Sequence, residues 1–341
     1  MGTADYLEIK HKPELTEKQL AKADAFIMKD STTGEFINTF RYLDYHPEGR
    51  FQDDSIVVMD RGSGEVRGVM MAARGDNDSI ISYPGTTFAG PVVDRAAKLE
   101  TTEAVLDRML GYYESKYSEV KIKKQPEYYA AQPFHLIDYI LLRRGYDYGM
   151  SALANIICID GIGTEEDTLA LFHAKRRNQV RKVIREGIFA LSRQEEIRET
   201  VWKNMNENLR NKYGAKTTHT LEEIRDLQGR CPNQIKAFYA DASDGTYGAF
   251  ALCFLFKKVF HTQYLDVNYE YAGQYPNLLL ITKLIQEARG MGFRYFSFGA
   301  STEDGGEVLN RSLYSYKAEF GGGDLLLPVY TRIKGENDER H

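Results

Sequence analysis

The segment His261-Thr262-Gln263-Tyr264 combines residue types that can carry acid–base chemistry. It follows an almost continuous apolar stretch, so we interpret it as part of a strand whose side chains alternate between two faces. His261 and Gln263 then share one face, which we expect to border a cleft. A neutral imidazole suits a general base for a substrate amine or hydroxyl, although a single histidine is more often structural. We therefore name His261 as a catalytic candidate and Gln263 as a substrate-binding candidate.

A second histidine offers the same chemistry just before a helix start. His219 follows Tyr213 in the sequence and precedes a capping box that begins at Thr220. We expect His219 and Tyr213 to contact substrate, and we favour His261 as the base.

Segment 298–306, FGASTEDGG, predicts the end of a strand and the start of a helix. Ligands usually bind at the carboxyl ends of strands, and the free N–H groups of a helix start bind anions. The hydroxyls of Ser301 and Thr302 would add donors, so we expect Ser301 to stabilise an oxyanion and Thr302 to bind substrate. A helix cap without a ligand is the alternative.

The predicted last helix has an apolar face whose members recur at helical spacing: Leu309, Leu313, Tyr316 and Phe320. Asn310 and Lys317 border this face. The stem of Lys317 can lie along the core while its ammonium reaches the edge of a pocket, and a lysine that snorkels to the surface is the alternative. We expect Lys317 to be catalytic and Asn310 and Tyr316 to bind substrate.

Two further segments supply binding candidates. A basic helix aligns Arg177 and Arg181 at a spacing of four, which suits a phosphate, although a solvated charged face is the ordinary explanation. In the first half, Tyr129 and Gln132 lie in a loop after a strand, where they would contact substrate or simply face solvent.

These candidates need a scaffold, and the chain repeats one order of elements. In each half, a β-hairpin is followed by a third strand, a helix and a fourth strand. The first copy is predicted at 55–60, 66–73, 79–83, 103–117 and 120–122, and the second at 235–241, 246–256, 261–267, 277–289 and 295–298. Between the copies we predict a helix at 134–143, a strand at 153–159 and helices at 164–186, 195–211 and 221–229. The repeat predicts an α/β (α+β) protein with one domain at 1–160 and a second at 161–341 that carries the main site.

Composition excludes several classes of function. The 341-residue chain has a net charge of −5, which argues against a binder of duplex DNA. Three widely spaced cysteines without a CxxC motif indicate neither a disulfide framework nor a zinc site, so we expect no metal. The sequence shows no apolar leader and no transmembrane run, so we expect a cytoplasmic protein, for which peripheral contact with a membrane stays open.

Six segments carry a resemblance to a known family: FINTFRYLDYH (36–46), SYPGTTFAGPVV (82–93), RRNQVRKVIREG (176–187), NLRNKYGAKTTHTLEE (208–223), HTQYL (261–265) and FGASTEDGGEVLNRSLYSYKAEFGG (298–322). They resemble the FemAB-like branch of the GNAT acyltransferase superfamily. The last segment is the most specific, because members typically close their second domain with Lys-x-x-Phe-Gly-Gly. The resemblance covers nearly the whole chain, and it points to bacterial proteins associated with cell-surface polysaccharide or peptidoglycan synthesis.

The resemblance implies two tandem GNAT-like domains, each a mixed and mostly antiparallel sheet flanked by helices. It also implies acyl transfer without a covalent intermediate, in which an amine or hydroxyl of a cell-envelope sugar or peptide precursor attacks an activated acetyl or aminoacyl group. That precursor would be a small molecule or linked to a lipid or a nucleotide. Ser301 and Lys317 would stabilise negative charge and His261 would assist proton removal, with Lys317 near the acyl donor.

The acyl donor, acyl-CoA or aminoacyl-tRNA, stays open. GNAT domains that bind acetyl-CoA usually carry a Q/R-x-x-G-x-G/A loop for the pyrophosphate, and neither 90–102 nor 267–277 has it. The helical hairpin that some FemAB proteins use for tRNA is also not evident. An aminoacyl-tRNA-dependent peptidyltransferase, with tRNA on the basic helix, and a non-catalytic tandem GNAT-like binding protein therefore remain alternatives.

Overall fold

The computed structural model describes residues 6–194, 196–214 and 216–335, without the side chains of residues 212 and 213. The chain divides into two compact units. The first comprises the residues up to Ala152 together with those from Leu326 onward, and the second comprises Leu153–Leu325. The sequence predicts one boundary near residue 160, whereas the chain passes between units at 152/153 and again at 325/326.

The first unit contains short strands around one long helix. Its helices are α1 (Glu17–Ala25), α2 (Phe40–Leu43), α3 (Leu99–Lys116) and α4 (Leu136–Arg143), and its strands are β1 (Leu7–His11), β2 (Gln52–Asp53), β3 (Ile56–Asp60), β4 (Val66–Met70), β5 (Ala73–Arg74), β6 (Ser79–Ile81), β7 (Val92–Val93) and β8 (Glu119–Ile122). Two further strands, β9 (Asp147–Cys158) and β17 (Gly323–Ile333), span the points where the chain changes unit.

A four-stranded antiparallel sheet in this unit has the order β1-β3-β4-β7. A second run of strands places β8 between the end of β17, which is antiparallel to it, and β6, which is parallel. Buried side chains of α3, including Met109 and Tyr113, pack against Val58 and Met70 of the sheet. Burial of this apolar surface stabilises the unit.

The second unit is built on a larger sheet. Its strands are β10 (Phe189–Gln194), β11 (Ile235–Ala242), β12 (Tyr247–Leu255), β13 (Val259–Val267), β14 (Tyr295–Ala300), β15 (Thr302–Glu303) and β16 (Val308–Leu309), and its helices are α5 (Glu165–Leu171), α6 (Ala174–Glu186), α7 (Glu199–Tyr213), α8 (Leu221–Arg230), α9 (Pro276–Gly290) and α10 (Arg311–Ala318). The strand order is β10-β11-β12-β13-β14-β9. Every neighbouring pair is antiparallel except β13 and β14, which are parallel.

The elements of the predicted second copy are confirmed. Every residue of β12 is buried, as its continuous apolar sequence predicts for a central strand. Helix α9 begins at Pro276, which needs no N–H partner at that position, and buries its apolar face in the core. The capping box of α8 is present, since Thr220 Oγ1 accepts from Glu223 N at 3.2 Å and Glu223 Oε2 accepts from Thr220 N at 2.8 Å.

Two details of this unit differ from the sequence interpretation. Segment 164–186 holds two helices, α5 and α6, because the backbone is extended at Phe172 and His173 between them. The edge strand β10, which pairs antiparallel with β11, was not predicted because FALSRQ has only a short apolar alternation.

Candidate functional site

A gap opens between β13 and β14 where their pairing ends. The two parallel strands pair from Val259–Tyr295 to His261–Ser297 and no further. Strand β13 continues to Val267 and β14 to Ala300, so residues 262–267 and 298–300 leave this ladder. We call the space between these two segments the strand gap. An open pair of backbone edges at the carboxyl ends of parallel strands is a usual place for a ligand.

His261 lies at the closed end of the strand gap and is 7% exposed. Its Nδ1 lies 3.1 Å from Ser297 Oγ, and a Cβ at Gly299 would lie 3.2 Å from its Cε1. Burial, assisted by the nearby charge of Lys317, lowers the pKa of His261 to about 4, and a hydrogen bond with Gln263 opposes this only in part. The imidazole is therefore neutral at physiological pH and is a weak base.

Lys317 projects from α10 to the same end of the gap and is 6% exposed. Its Nζ donates to the carbonyl oxygen of Gly299 at 3.1 Å and to that of Ala300. Burial lowers the pKa of Lys317 to about 7, so the ammonium and the amine are both populated near neutral pH. Such a group can stabilise negative charge and can also give up a proton.

Helix α10 is held in place by Arg176 at the start of α6. The Arg176 guanidinium pairs with the Glu319 carboxylate and lies 5.2 Å from the ring centroid of Tyr316 and 5.5 Å from that of Phe320. The hydroxyl of Tyr316 accepts from Asn277 Nδ2 at 2.8 Å, and burial raises the Tyr316 pKa to about 12. These contacts flank Lys317 in the sequence and fix the helix that presents it.

The helix start predicted at Ser301 and Thr302 is wrong. Residues 302–303 and 308–309 instead pair as the antiparallel strands β15 and β16, and α10 begins only at Arg311. The turn between these strands places Asp304 and Gly305 at φ +48° and +67°, which a helix does not allow.

The side chains of Ser301 and Thr302 bond to strand β9, and that of Asn310 bonds to the hairpin and caps the helix that follows it. Ser301 Oγ donates to Asn155 Oδ1 at 2.7 Å, and Thr302 Oγ1 accepts from Leu153 N at 3.2 Å. Asn310 caps α10 by accepting from Leu313 N at 3.0 Å. Leu309, expected on the helix face, lies on β16 and is exposed.

A hydrogen-bonded group adjoins His261 through Gln263. The side chain of Gln263 hydrogen-bonds with both His261 and Tyr264. The hydroxyl of Tyr264 lies 2.7 Å from Nδ1 of His219, which is buried. The structure thus brings His261, Lys317, Gln263 and His219 into one region of the second unit. The side chain of Tyr213, predicted beside His219, lies outside the described residues.

The other candidates lie elsewhere. Arg181 pairs with Glu166 at 2.6 Å on the exposed side of α6, and Arg177 lies on the same helix. In the first unit, Tyr129 is buried with its ring 5.0 Å from that of Phe88, and Gln132 is exposed. Their roles as phosphate- or substrate-binding residues stay predictions.

Sequence reasoning missed three polar residues of the site. Ser297 and Asn155 lie within apolar strands. For Tyr264, the alternation of side chains along the strand predicts only the face on which it lies. A buried polar residue inside an apolar strand needs a hydrogen-bond partner, and that signal could have identified Ser297 and Asn155. Within the described part of the chain, no group of three or more His, Cys, Asp or Glu could hold a metal ion. No helix among those residues has the length and apolar character needed to cross a membrane.

Residues 172–317 match the family model of the acetyltransferase (GNAT) domain. The match lies wholly within the second unit and ends at Lys317. The second unit carries a GNAT acyltransferase domain. The GNAT domain thus includes the strand gap and both of the buried groups, His261 and Lys317, that face its closed end.

Solved structures extend the similarity of fold beyond the GNAT domain. FemX is 14% identical, with a TM-score of 0.68 over 96% of this chain and 97% of that one. The C-terminal domain of a putative lysylphosphatidylglycerol synthetase from Agrobacterium fabrum is 14% identical, with a TM-score of 0.57 over 92% and 91% of the chains. A tandem GNAT protein from the clavulanic acid biosynthesis pathway is 10% identical, with a TM-score of 0.53 over 97% and 100%. No curated protein matches the sequence. The chain therefore has the tandem GNAT fold.

Proposed function

We propose that the GNAT domain transfers an activated acyl group to an amine or hydroxyl of a cell-envelope precursor, with the reaction at the closed end of the strand gap. The observation that carries this proposal is the buried Lys317, whose Nζ bonds only to backbone carbonyls among its described hydrogen-bond partners. The similarity of fold to a putative lysylphosphatidylglycerol synthetase, a protein named for a lysyl-modified lipid, supports an envelope acceptor.

The start of α9 does not fit the pyrophosphate of coenzyme A. Pro276 at the first helical position has no N–H, and the N–H of Leu278 donates to Tyr275 O at 3.0 Å. The side chain of Asn277 is used by Tyr316. A phosphate cradle needs several free backbone donors that converge on one point, and these residues do not offer them. We therefore derive no step through coenzyme A and describe the donor only as an activated acyl group.

The residues of the gap suit direct transfer. The acceptor nitrogen or oxygen attacks the acyl carbon, and the developing oxyanion is stabilised by the Lys317 ammonium. As the tetrahedral intermediate collapses, the leaving atom keeps the bonding electron pair and takes a proton from Lys317, whose pKa of about 7 suits a general acid. The acceptor loses its own proton to solvent, from which Lys317 is protonated again, so the protons balance. His261 stays neutral and, with Ser297, orders the closed end of the gap.

Mass spectrometry of the acceptor tests this proposal. The purified chain would be incubated with acetyl-CoA or with aminoacyl-tRNAs, each against a nucleotide-linked amino sugar and a lysine-containing peptide. We expect one pair to give an acceptor heavier by the acyl group, and Lys317→Met to lower the rate at which that product forms by about 10²- to 10³-fold. Lys203→Met, at an exposed lysine of α7, is the matched control. If no acceptor gains mass with any donor, the proposed function is wrong.

A further inference from the structure

A cavity of about 520 Å³ in the first unit lies between the edge strand β1 and helix α3. Its lining includes Glu8 and Ile9 of β1, Asp107 and Arg108 of α3, and Arg61, which follows β3. This volume falls in the usual range for sites that bind small ligands. The cavity and the strand gap belong to different units, so the cavity is not part of the candidate site described above.

The register of β1 directs the backbone of Ile9 away from its sheet. Arg61 N donates to Tyr6 O at 2.8 Å, which marks these two residues as a hydrogen-bonded pair of the antiparallel ladder. Because such pairs alternate, residues 6, 8 and 10 bond to β3 and residues 7, 9 and 11 direct their backbone groups outward. Within the described residues, no strand pairs with that side of β1. Since Ile9 also lines the cavity, its N–H and C=O border it.

Ile9 differs from its neighbours along this outer edge. The Leu7 carbonyl accepts from Arg108 Nη2 at 2.9 Å, and the His11 N–H donates to Glu14 Oε2 at 2.7 Å. Among the described residues, none bonds to the N–H or the C=O of Ile9. A long strand, including β1 of a second copy, would also need the groups of Leu7 and His11. The edge therefore suits the end of a peptide and not the pairing of two copies.

The charges around the cavity leave a positive excess. The two acids of the lining, Asp107 and Glu8, pair at 2.8 and 3.3 Å with bases that do not line it. The two arginines, Arg61 and Arg108, have no ion-pair partner among the described residues. Arg108 is half-buried and uses one nitrogen for a backbone carbonyl, so its other N–H groups are available. A guanidinium binds a carboxylate through paired hydrogen bonds, which favours an anionic ligand here.

We propose that this cavity binds the carboxyl end of an extended peptide, with the backbone of Ile9 pairing to the peptide and Arg108 and Arg61 holding its terminal carboxylate. The direction of the peptide follows from the position of the arginines. Both lie at the end of β1 where Leu7 bonds to Arg108 and where Tyr6 pairs with Arg61. A peptide antiparallel to β1 brings its carboxyl end to this place, and a parallel peptide would carry its carboxylate away from it.

The register assigns different roles to the last two residues of the peptide. The penultimate residue pairs with Ile9, so that its N–H donates to Ile9 O and its C=O accepts from Ile9 N. The N–H of the last residue then points away from β1, and its carboxylate meets Arg108. This binding function lies outside the acyl transfer proposed above and does not rest on it.

Binding of labelled tripeptides tests the site without any turnover. The probes are fluorescein-labelled Ala-Ala-X peptides with each standard amino acid as X, and fluorescence anisotropy measures Kd. We expect at least one to bind with a Kd below about 1 mM. Amidation of its carboxylate should weaken binding about 10- to 100-fold, as should Arg108→Gln, because each removes a charge-assisted hydrogen bond. Arg143→Gln, at an exposed arginine of α4, is the matched control and should keep the wild-type Kd.

Methylation of the peptide tests the register while the protein stays unchanged. An N-methyl group on the penultimate residue removes the donor to Ile9 O and should weaken binding about 3- to 10-fold. The same group on the last residue, whose N–H points away from β1, should change Kd by less than about twofold.

Several results would overturn the proposal. These are a lack of binding by every tripeptide at about 1 mM, equal binding of amidated peptides, equal losses in Arg108→Gln and Arg143→Gln, and equal effects of the two methylations. Displacement of the peptide by inorganic phosphate at concentrations below the peptide's own Kd would assign the cavity to a phosphate group instead. Because the readout is binding, a failure of acyl transfer and a failure of this site are observed separately.

Discussion

Two buried lysines, one in each unit, have opposite surroundings. Lys124 in the first unit and Lys317 in the second are each 6% exposed. Lys124 pairs with the carboxylate of Asp138, which also accepts from the hydroxyl of Tyr330 at 2.6 Å. Lys317 bonds to the carbonyls of Gly299 and Ala300.

This difference separates a lysine that stabilises the fold, Lys124, from a lysine that is suited to catalysis, Lys317. Burial raises the pKa of Asp138, but hydrogen bonds from Lys124 and Tyr330 outweigh it and hold that pKa below its ordinary value, so this carboxylate supplies a full counter-charge. A carbonyl dipole compensates only part of the cost of burying an ammonium, which is why the pKa of Lys317 falls to about 7. We therefore expect the first lysine to matter for stability and the second for turnover.

The largest expected effect is on catalysis. Lys317→Met should lower kcat by about 10²- to 10³-fold, the usual cost of removing one oxyanion donor. Lys124→Met should keep kcat within about twofold, because that lysine contributes no group to the strand gap. Steady-state kinetics of the acyl transfer compare the two variants directly. Equal losses in both would remove the distinction between the lysines.

The next effect is on stability, for which we expect Lys124 to matter more than Lys317. Lys124→Met should lower the free energy of unfolding by about 3 kcal/mol, because it leaves the half-buried Asp138 carboxylate without its counter-charge. Chemical denaturation measures this change. The double variant Lys124→Met/Asp138→Asn should recover part of the loss, since a neutral amide needs no counter-charge. A double variant less stable than Lys124→Met would contradict the ion-pair explanation.

A third effect, smaller per pH unit than the loss in Lys124→Met, appears in the pH dependence of stability. The folded pKa of Lys317 is about 7 and its unfolded value is 10.5, so the unfolded chain binds more protons in this window. The free energy of unfolding should therefore rise with pH from 7 to 10.5, by up to about 1.4 kcal/mol per pH unit from this residue. Lys123, whose pKa burial lowers to about 8, adds a rise of the same sign above pH 8. The part of this rise that disappears in Lys317→Met comes from Lys317. An unchanged slope of unfolding free energy against pH in that variant would show that the pKa of Lys317 is not lowered.

The smallest effect concerns a carbonyl that holds Lys317. Gly299 has φ +71°, and a Cβ there would meet His261 at 3.2 Å. Gly299→Ala should cost about 1 to 2 kcal/mol in unfolding free energy from strain and contact together. Gly292→Ala, at φ +88° with open space around it, carries the backbone strain alone and is the matched control. Thermal denaturation should rank Gly299→Ala as the less stable of the two.

The sequence predicted those parts of the fold whose pattern is local. Helix α9 and the hairpin of β11 and β12 follow from continuous apolar faces and short turns. The hairpin of β15 and β16 was mistaken for a helix start, because its three short elements together contain too few apolar residues to show a period. The Asp304-Gly305 pair, which takes left-handed φ values, was the one available signal for that turn.

For the site, the sequence could name polar residues at the ends of apolar strands but not their partners. His261 and Lys317 were identified because each borders an apolar pattern. The hydrogen bonds of Gln263 with His261 and Tyr264 occur at a bulge in β13 that the sequence does not reveal. A bulge inserts one residue without changing composition, so alternation alone placed Tyr264 on the face opposite to Gln263.

The pairing of β17 with β8 also sets an order of events during synthesis. Residues 330–333 complete the sheet beside residues 119–122, and Tyr330 reaches Asp138 in the same unit. While the ribosome is still adding the residues that precede Tyr330, the edge of β8 therefore has no partner and is open to wrong strand pairing. The first unit is thus begun before the second and completed after it, and a nascent chain halted before residue 326 would expose that edge to chaperones.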